Sequence, residues 1–260
     1  MKKILFSLFI AIAVAIPASA YDAASRVSTI GNTLLTKNGI PTTNVKFMVV
    51  SGTPDNSNYS TNRVVNVSTK NLAYAGNDNE VASVVANELG HIIYGHASKK
   101  KFWSLFTTGT QTNDLASTIA EDYKLTKEEK EADVISVNLM ANAGYNPLAS
   151  IVVLTKQTGT YWDAIQGKPA NAERAMNIYD YTGYAYPAKL SAGYGCNEYR
   201  NFLTYANTVT AQRKASTKLQ NKYNKEMKKY RKNSLDKISK FKVRGGISGW
   251  DAAYGILNAN

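Results

Sequence analysis

The chain has 260 residues, 44% of them hydrophobic and 19% charged, with a single cysteine and a formal net charge of +12. That is enough apolar material for one substantial core and too much for a disordered chain. One cysteine excludes an intrachain disulfide, so packing must hold the fold, and Cys196 reads as a small buried hydrophobe rather than a nucleophile.

The opening "MKKILFSLFIAIAVAIPASA" has the parts of a secretory signal. Lys2 and Lys3 are its positive start, Ile4 to Ile16 its apolar run, and Ala18-Ser19-Ala20 its small-residue cleavage site. A membrane span needs about 20 apolar residues, more than this run supplies. Residues 1–20 are therefore expected to be removed, leaving a periplasmic or secreted protein.

Val27, Ile30 and Leu34 fall at helical spacing over residues 23–36, and "KNG" at 37–39 closes that helix. "NVKFMVV" (44–50) and "RVVNV" (63–67) read as two strands of a small antiparallel sheet around the turn-forming "GTPDNSN". Asn77 with Glu80 three residues on predicts a capping box for the next helix, "EVASVVANELGHIIYGH" (80–96). The polar stretch to about residue 112, with Phe102, Trp103 and Phe106, suggests a flap or ridge. A helix over 126–144 is capped by Thr126 and ended by Gly144, and Pro147 and Pro169 open two further helices. The fold class is α+β and mostly helical, with a domain over 21–200.

Residues 201–260 form a basic helical extension. Residues 213–244 carry 13 Lys or Arg against Glu226 and Asp236, whereas the rest of the mature chain is close to neutral. Leu219, Tyr223, Met227, Tyr230, Ile238 and Phe241 make a helical stripe. Such a helix can dock on its own domain, lie on an anionic membrane surface or follow nucleic acid. Export disfavours nucleic acid and makes an acidic envelope surface the expected external partner.

Positions i and i+4 share a helix face. Two histidines at that spacing can grip zinc, and a Glu after the first can act as general base. Here those positions hold Asn87, Glu88 and His91, and a second helix carries Glu129 and Asp133, again at i and i+4. An ordinary surface helix remains an alternative, since Glu129 also suits the third position of a cap led by Thr126.

The order "NELGHIIYGH", "EKEAD", "AGYNP", "KPANAER" resembles the zinc metallopeptidase family of HtpX, the CAAX prenyl proteases and the Oma1-type enzymes, over roughly residues 40–180. That resemblance implies a zincin-like metallopeptidase domain of the gluzincin kind. It also implies Zn2+ as cofactor and protein or peptide substrates, in an envelope quality-control setting. Carried over residue by residue, it makes Glu88 the general base, His91 and Glu129 zinc ligands, and Asp133 the partner behind them. It makes His96 structural and Arg174 a tie between helices. Two positions depart from the family: Asn87 stands where the first His ligand belongs, and Lys168 replaces the His of an HP-x4-R segment.

Asn is shorter than His and neutral, so metal affinity is expected to fall. Its NH2 could donate to Asp133 and turn the amide oxygen toward a cation, but the same pairing would satisfy both residues without one. A metallopeptidase with a degenerate site is thus the first reading, and a catalytically inactive pseudopeptidase that binds protein or envelope surfaces is the alternative.

Overall fold

The computed structural model describes residues 18–40, 42, 45–52, 64–94, 96, 115–157 and 169–232. Helix α1 (Ala18–Lys37) buries Val27, Ile30 and Leu34 on one face. It ends where Gly39 takes a positive φ of 68°. Asn38, just past its end, donates its amide to the carbonyls of Leu34 (2.8 Å) and Leu139 (3.0 Å), which pins the first helix to a later one.

Strands β1 (Lys46–Val50) and β2 (Val64–Ser68) pair in parallel, with Phe47 opposite Val65 and Val49 opposite Val67. This corrects the antiparallel expectation. A parallel pair needs a connection of about a dozen residues or more, and residues 51–63 supply that length. Most of the expected turn lies outside the described residues. A short α2 (Thr69–Leu72) leads on to α3 (Asp78–Tyr94).

The start of α3 is capped from Asn77, whose Oδ1 accepts the Glu80 N–H at 3.1 Å. The Glu80 carboxylate returns to accept the N–H of Gly76, at 2.7 Å, one residue short of a strict capping box. Glu80 is almost wholly buried and also takes Lys156 Nζ at 2.7 Å, so the cap is tied to a distant helix as well.

Helix α4 (Leu115–Asn142) is longer than expected. Thr126, where the helix was expected to begin, falls within its span, and no Gly or Pro between Leu115 and Asn142 interrupts it. The remaining elements are α5 (Ala149–Gln157), α6 (Pro169–Ala185), α7 (Pro187–Ala192), α8 (Asn197–Lys214) and α9 (Thr217–Lys232). Pro169 opens α6 as its fixed φ favours, whereas α5 begins two residues after Pro147. Phe102, Trp103, Phe106 and Lys168 lie outside the described residues, as do residues 1–17 and 233–260. Among the described residues no helix is long and apolar enough to cross a membrane.

Two clusters of buried side chains meet at α4. The first joins α1, both strands, α3, α4 and α5 through residues such as Leu34, Val65, Leu89, Ile135 and Leu139. The second joins α4 to α5, α6, α8 and α9 through Val137, Ile151, Tyr181, Phe202 and Met227. Every residue of α4 from Glu131 to Met140 is buried, as a helix with apolar partners on two sides requires. Helix α8 runs through residue 200 and buries Phe202 and Ala206. Cys196 sits half-buried at its N-cap, where its sulfur accepts the Tyr199 N–H at 3.5 Å.

The basic helix α9 docks. Met227 is buried, and the Tyr230 ring meets Tyr181 edge-on at 6.1 Å. Arg213 grips Asp180 with two hydrogen bonds (2.6 and 2.8 Å) while its guanidinium lies 4.2 Å above the Tyr223 ring. Lys214, Lys218, Lys222, Lys225, Lys228 and Lys229 remain exposed.

Candidate metal centre

Helices α3 and α4 come together at Gly90. A Cβ placed there would lie 2.5 Å from the carbonyl oxygen of Ala132, so only glycine allows this separation. Glycine inside a helix costs about 1 kcal/mol relative to alanine, and a residue kept at that cost signals a close contact. The contact brings the turn holding Asn87, Glu88 and His91 against the turn holding Glu129 and Asp133.

The side chains form a continuous polar cluster. His91 Nε2 lies 3.2 Å from Glu129 Oε1. Asn87 Nδ2 donates to Asp133 Oδ1 at 2.9 Å. Arg174, from α6, donates through Nε and Nη2 to both Asp133 oxygens at 2.8 Å each. Its Nη1 reaches Glu129 Oε2 at 3.0 Å. Glu129 is therefore shared between His91 on one oxygen and Arg174 on the other. Glu88 is buried beside Asn87, and its charge acts on both His91 and Arg174.

His96, just beyond α3, reaches back to the cluster. Its Nδ1 lies 2.9 Å from His91 Nδ1, and its Nε2 lies 3.4 Å from Glu131 Oε2. Five residues of separation along a regular helix predict no such contact, and His96 makes it from beyond the end of α3.

Charge balance explains the ionisation states. Burial would push the Glu129 carboxyl up, but the guanidinium of Arg174 and the hydrogen bond to His91 bring it down to about 2. Burial works against a charged His91, yet the bond and charge of Glu129 and the charge of Glu88 overcome it and raise its pKa. His96 goes the opposite way, because burial outweighs Glu131 and lowers its pKa. Burial pushes Asp133 up, and the two-pronged contact with Arg174 opposes it.

Arg174 and Glu131 are more central than their sequence context suggests. Arg174 binds two carboxylates rather than only tying helices. Glu131 sits in the charged run "EEKEAD", which looks like a solvated face, yet it is buried. Lys168 falls outside the described residues.

Whether these groups suit a metal can be tested on their spacing. Two ligands of a tetrahedral zinc stand roughly 3.3–3.5 Å apart, given zinc–ligand distances of about 2.0–2.2 Å. His91 Nε2 and Glu129 Oε1, at 3.2 Å, are close to that separation. Asn87 has its NH2 committed to Asp133, which leaves only its carbonyl oxygen to offer. Among the described residues no group of three or more His, Cys, Asp or Glu gathers around one point. His91 and Glu129 thus stand at ligand spacing, and the described residues add no third His, Cys, Asp or Glu to them.

Among curated proteins, the chain is similar to the metalloprotease LoiP of Escherichia coli (strain K12). The two are 27% identical over 124 residues, which cover 40% of this chain and 49% of that protein. The chain thus spans about half the length of the curated relative it matches. No family model matches the chain, and no solved structure does.

Proposed function

We propose that this chain is a metallopeptidase with a weakened metal site, acting on exported proteins or peptides. The observation that carries the reading is the 3.2 Å approach of His91 Nε2 to Glu129 Oε1, made from two helices with buried Glu88 on the turn between Asn87 and His91. The similarity to a metalloprotease supports it. His91 and Glu129 would hold the ion, with the Asn87 carbonyl oxygen as a poor third ligand. A zinc ion held there would supply Lewis acidity for the attack of water on a peptide carbonyl. Glu88 takes the proton from that water and passes it to the departing amine. Asp133 and Arg174 fix Asn87 and Glu129 from behind, so the ligands do not have to reorganise.

The second reading is a pseudopeptidase that binds proteins or envelope surfaces without cleaving them. It is favoured by the Asn87–Asp133–Arg174–Glu129 network, which pairs these groups with one another without a metal ion. In either case the leader-like first 20 residues support export. The exposed lysines of α9 support contact with an anionic envelope surface.

Zinc content and cleavage of an unfolded protein such as casein decide between the two. Under the peptidase reading the protein takes up zinc and cleaves casein, and Glu88→Gln stops cleavage while leaving the zinc in place. A wild type that neither retains added zinc nor cleaves casein is the pseudopeptidase.

A further inference from the structure

Helix α9 is one-sided. Gln220, Tyr223, Glu226, Met227 and Tyr230 are wholly or partly covered, whereas Lys218, Lys222, Lys225, Lys228 and Lys229 are exposed. Lys218, Lys222, Lys225 and Lys229 follow one another at steps of four, three and four residues, which is the spacing of a single helix face. At about 1.5 Å per residue they make a row roughly 16 Å long. Glu226 is the one acid in the helix sequence, and it is turned inward, where its carboxylate accepts the Tyr230 hydroxyl at 3.2 Å. The outward face therefore carries positive charge undiluted by any carboxylate of its own helix. The opposite face is already occupied. Met227 is 2% exposed, Tyr230 covers the fully buried Tyr181, and Tyr223 lies under Arg213, which in turn holds Asp180 of α6.

We propose that α9 meets an anionic phospholipid surface while docked on α6 and α8, with its lysine row against the headgroup phosphates and its tyrosines and Met227 kept inside the protein. This deepens the envelope-surface reading of α9 and rests on it. The other way for such a helix to bind lipid is to insert, burying its apolar stripe about 5–10 Å into the boundary between headgroups and acyl chains. Insertion here would uncover Tyr181 and break the contacts that Arg213 makes with Asp180 and Tyr223. In the docked state Leu219 is the large apolar side chain that α9 leaves exposed. Even a whole myristoyl chain anchors a protein only marginally, so one leucine does not. Charge must then supply the binding. Lysine suits that role, because an ammonium on a flexible stem meets a phosphate as a point charge and needs no shaped pocket. Juxtaposed lysines of this kind are drawn to anionic leaflets and not to neutral ones.

The test mixes the full chain at low salt with vesicles of phosphatidylglycerol and phosphatidylcholine, and with vesicles of phosphatidylcholine alone. Sedimentation reads binding, and amide hydrogen exchange of the bound protein reads docking. Binding is expected only where phosphatidylglycerol is present, with exchange in α6 and α9 as slow as in the free protein or slower. Faster exchange in both helices on binding means that α9 has left its seat; it overturns the docked mode and leaves the envelope-surface reading standing. Equal binding to phosphatidylcholine alone also overturns the proposal, since charge would not be the cause. Asp180→Asn loosens the grip of Arg213 without altering α9, so vesicle affinity should stay as in wild type. Tighter binding by Asp180→Asn is the mark of an inserting helix set free, and overturns the docked mode. Where that variant does not fold, exchange in the wild type decides. A wild type that ignores acidic vesicles removes the envelope-surface reading and the proposal together, and retention of DNA under the same conditions would make the partner a different polyanion.

Discussion

Gly90 and Ala132 touch backbone to backbone, and the two helices that carry the candidate ligands have no other way to be this close. Because the obstacle to a Cβ is a main-chain carbonyl, it cannot swing aside. Gly90→Ala should therefore cost about 1–3 kcal/mol through overpacking, despite the gain of about 1 kcal/mol in helix propensity. Urea unfolding measures this. A Gly90→Ala protein more stable than wild type would show that the helices separate without penalty.

Asn87→His replaces a neutral amide with an imidazole beside His91 and Glu129. Zinc affinity should rise at least roughly tenfold, the scale on which even indirect ligand partners act. Casein cleavage should rise with it. Adding Glu88→Gln in that background should abolish the gain in cleavage while leaving zinc bound, since Glu88 acts on water. Competition with a chelator reads the first effect, and an Asn87→His protein with wild-type zinc affinity refutes it.

Arg174 holds a wholly enclosed carboxylate, Asp133, with two hydrogen bonds. Removing one partner of such a pair leaves a buried charge, at a cost of about 3–5 kcal/mol. Arg174→Ala should lose on that order in chemical denaturation. Arg174→Lys should recover only part of it, since an ammonium cannot reproduce the planar two-pronged contact. Full recovery by lysine would mean that charge alone matters.

The Glu129 carboxyl has its pKa lowered from 4.5 to about 2 by Arg174 and His91, against the opposing effect of burial. A depressed acid stabilises the folded state above its unfolded pKa, and that contribution is lost as pH falls through the folded value. In chelator-treated protein, stability should thus decline between pH 4.5 and about 2 more steeply in wild type than in Glu129→Gln. Parallel curves for the two proteins across that window would sink the assignment.

Helix α9 should bind anionic vesicles through its exposed lysines, each contributing about 1 kcal/mol near a charged surface. Binding should weaken steeply with salt, because the screening length falls from about 10 Å at 0.1 M to about 3 Å at 1 M. Replacing Lys218, Lys222, Lys225, Lys228 and Lys229 with Gln should abolish vesicle binding without altering thermal unfolding. Deleting α9 should instead lower stability, since Met227 belongs to the second core. Vesicle binding unaffected by salt or by the five substitutions would rule out the electrostatic surface.

The helices that carry the site were legible because apolar spacing and i, i+4 pairs are local properties. Asn87, His91, Glu129 and Asp133 could be placed on two faces before any coordinates. What was not legible depends on contacts between distant segments. Arg174 lies more than 40 residues from Asp133 along the chain, and nothing near it specifies a partner. The strand direction depends on the connection between β1 and β2, whose residues look equally suited to a hairpin. Thr126 has the chemistry of a cap, but a cap residue ends a helix only where the preceding turn is unfavourable. The basic run 213–232 reads as a solvated face, and only the partners of Arg213, Met227 and Tyr230 show which side of it is inside.

Helix α4 is enclosed by both cores over the segment that holds Asp133. A helix gripped on two sides cannot tilt toward one without opening a void along the other, and close-packed interiors resist that. Ligand binding at Glu129, one turn before Asp133 on this helix, should therefore register across the whole molecule. A bound ion should raise the melting temperature of the strands and of the terminal helices together, as one transition, by the mass-action stabilisation that any ligand of the folded state confers. The centre would then act as a keystone between two halves, whatever chemistry it performs.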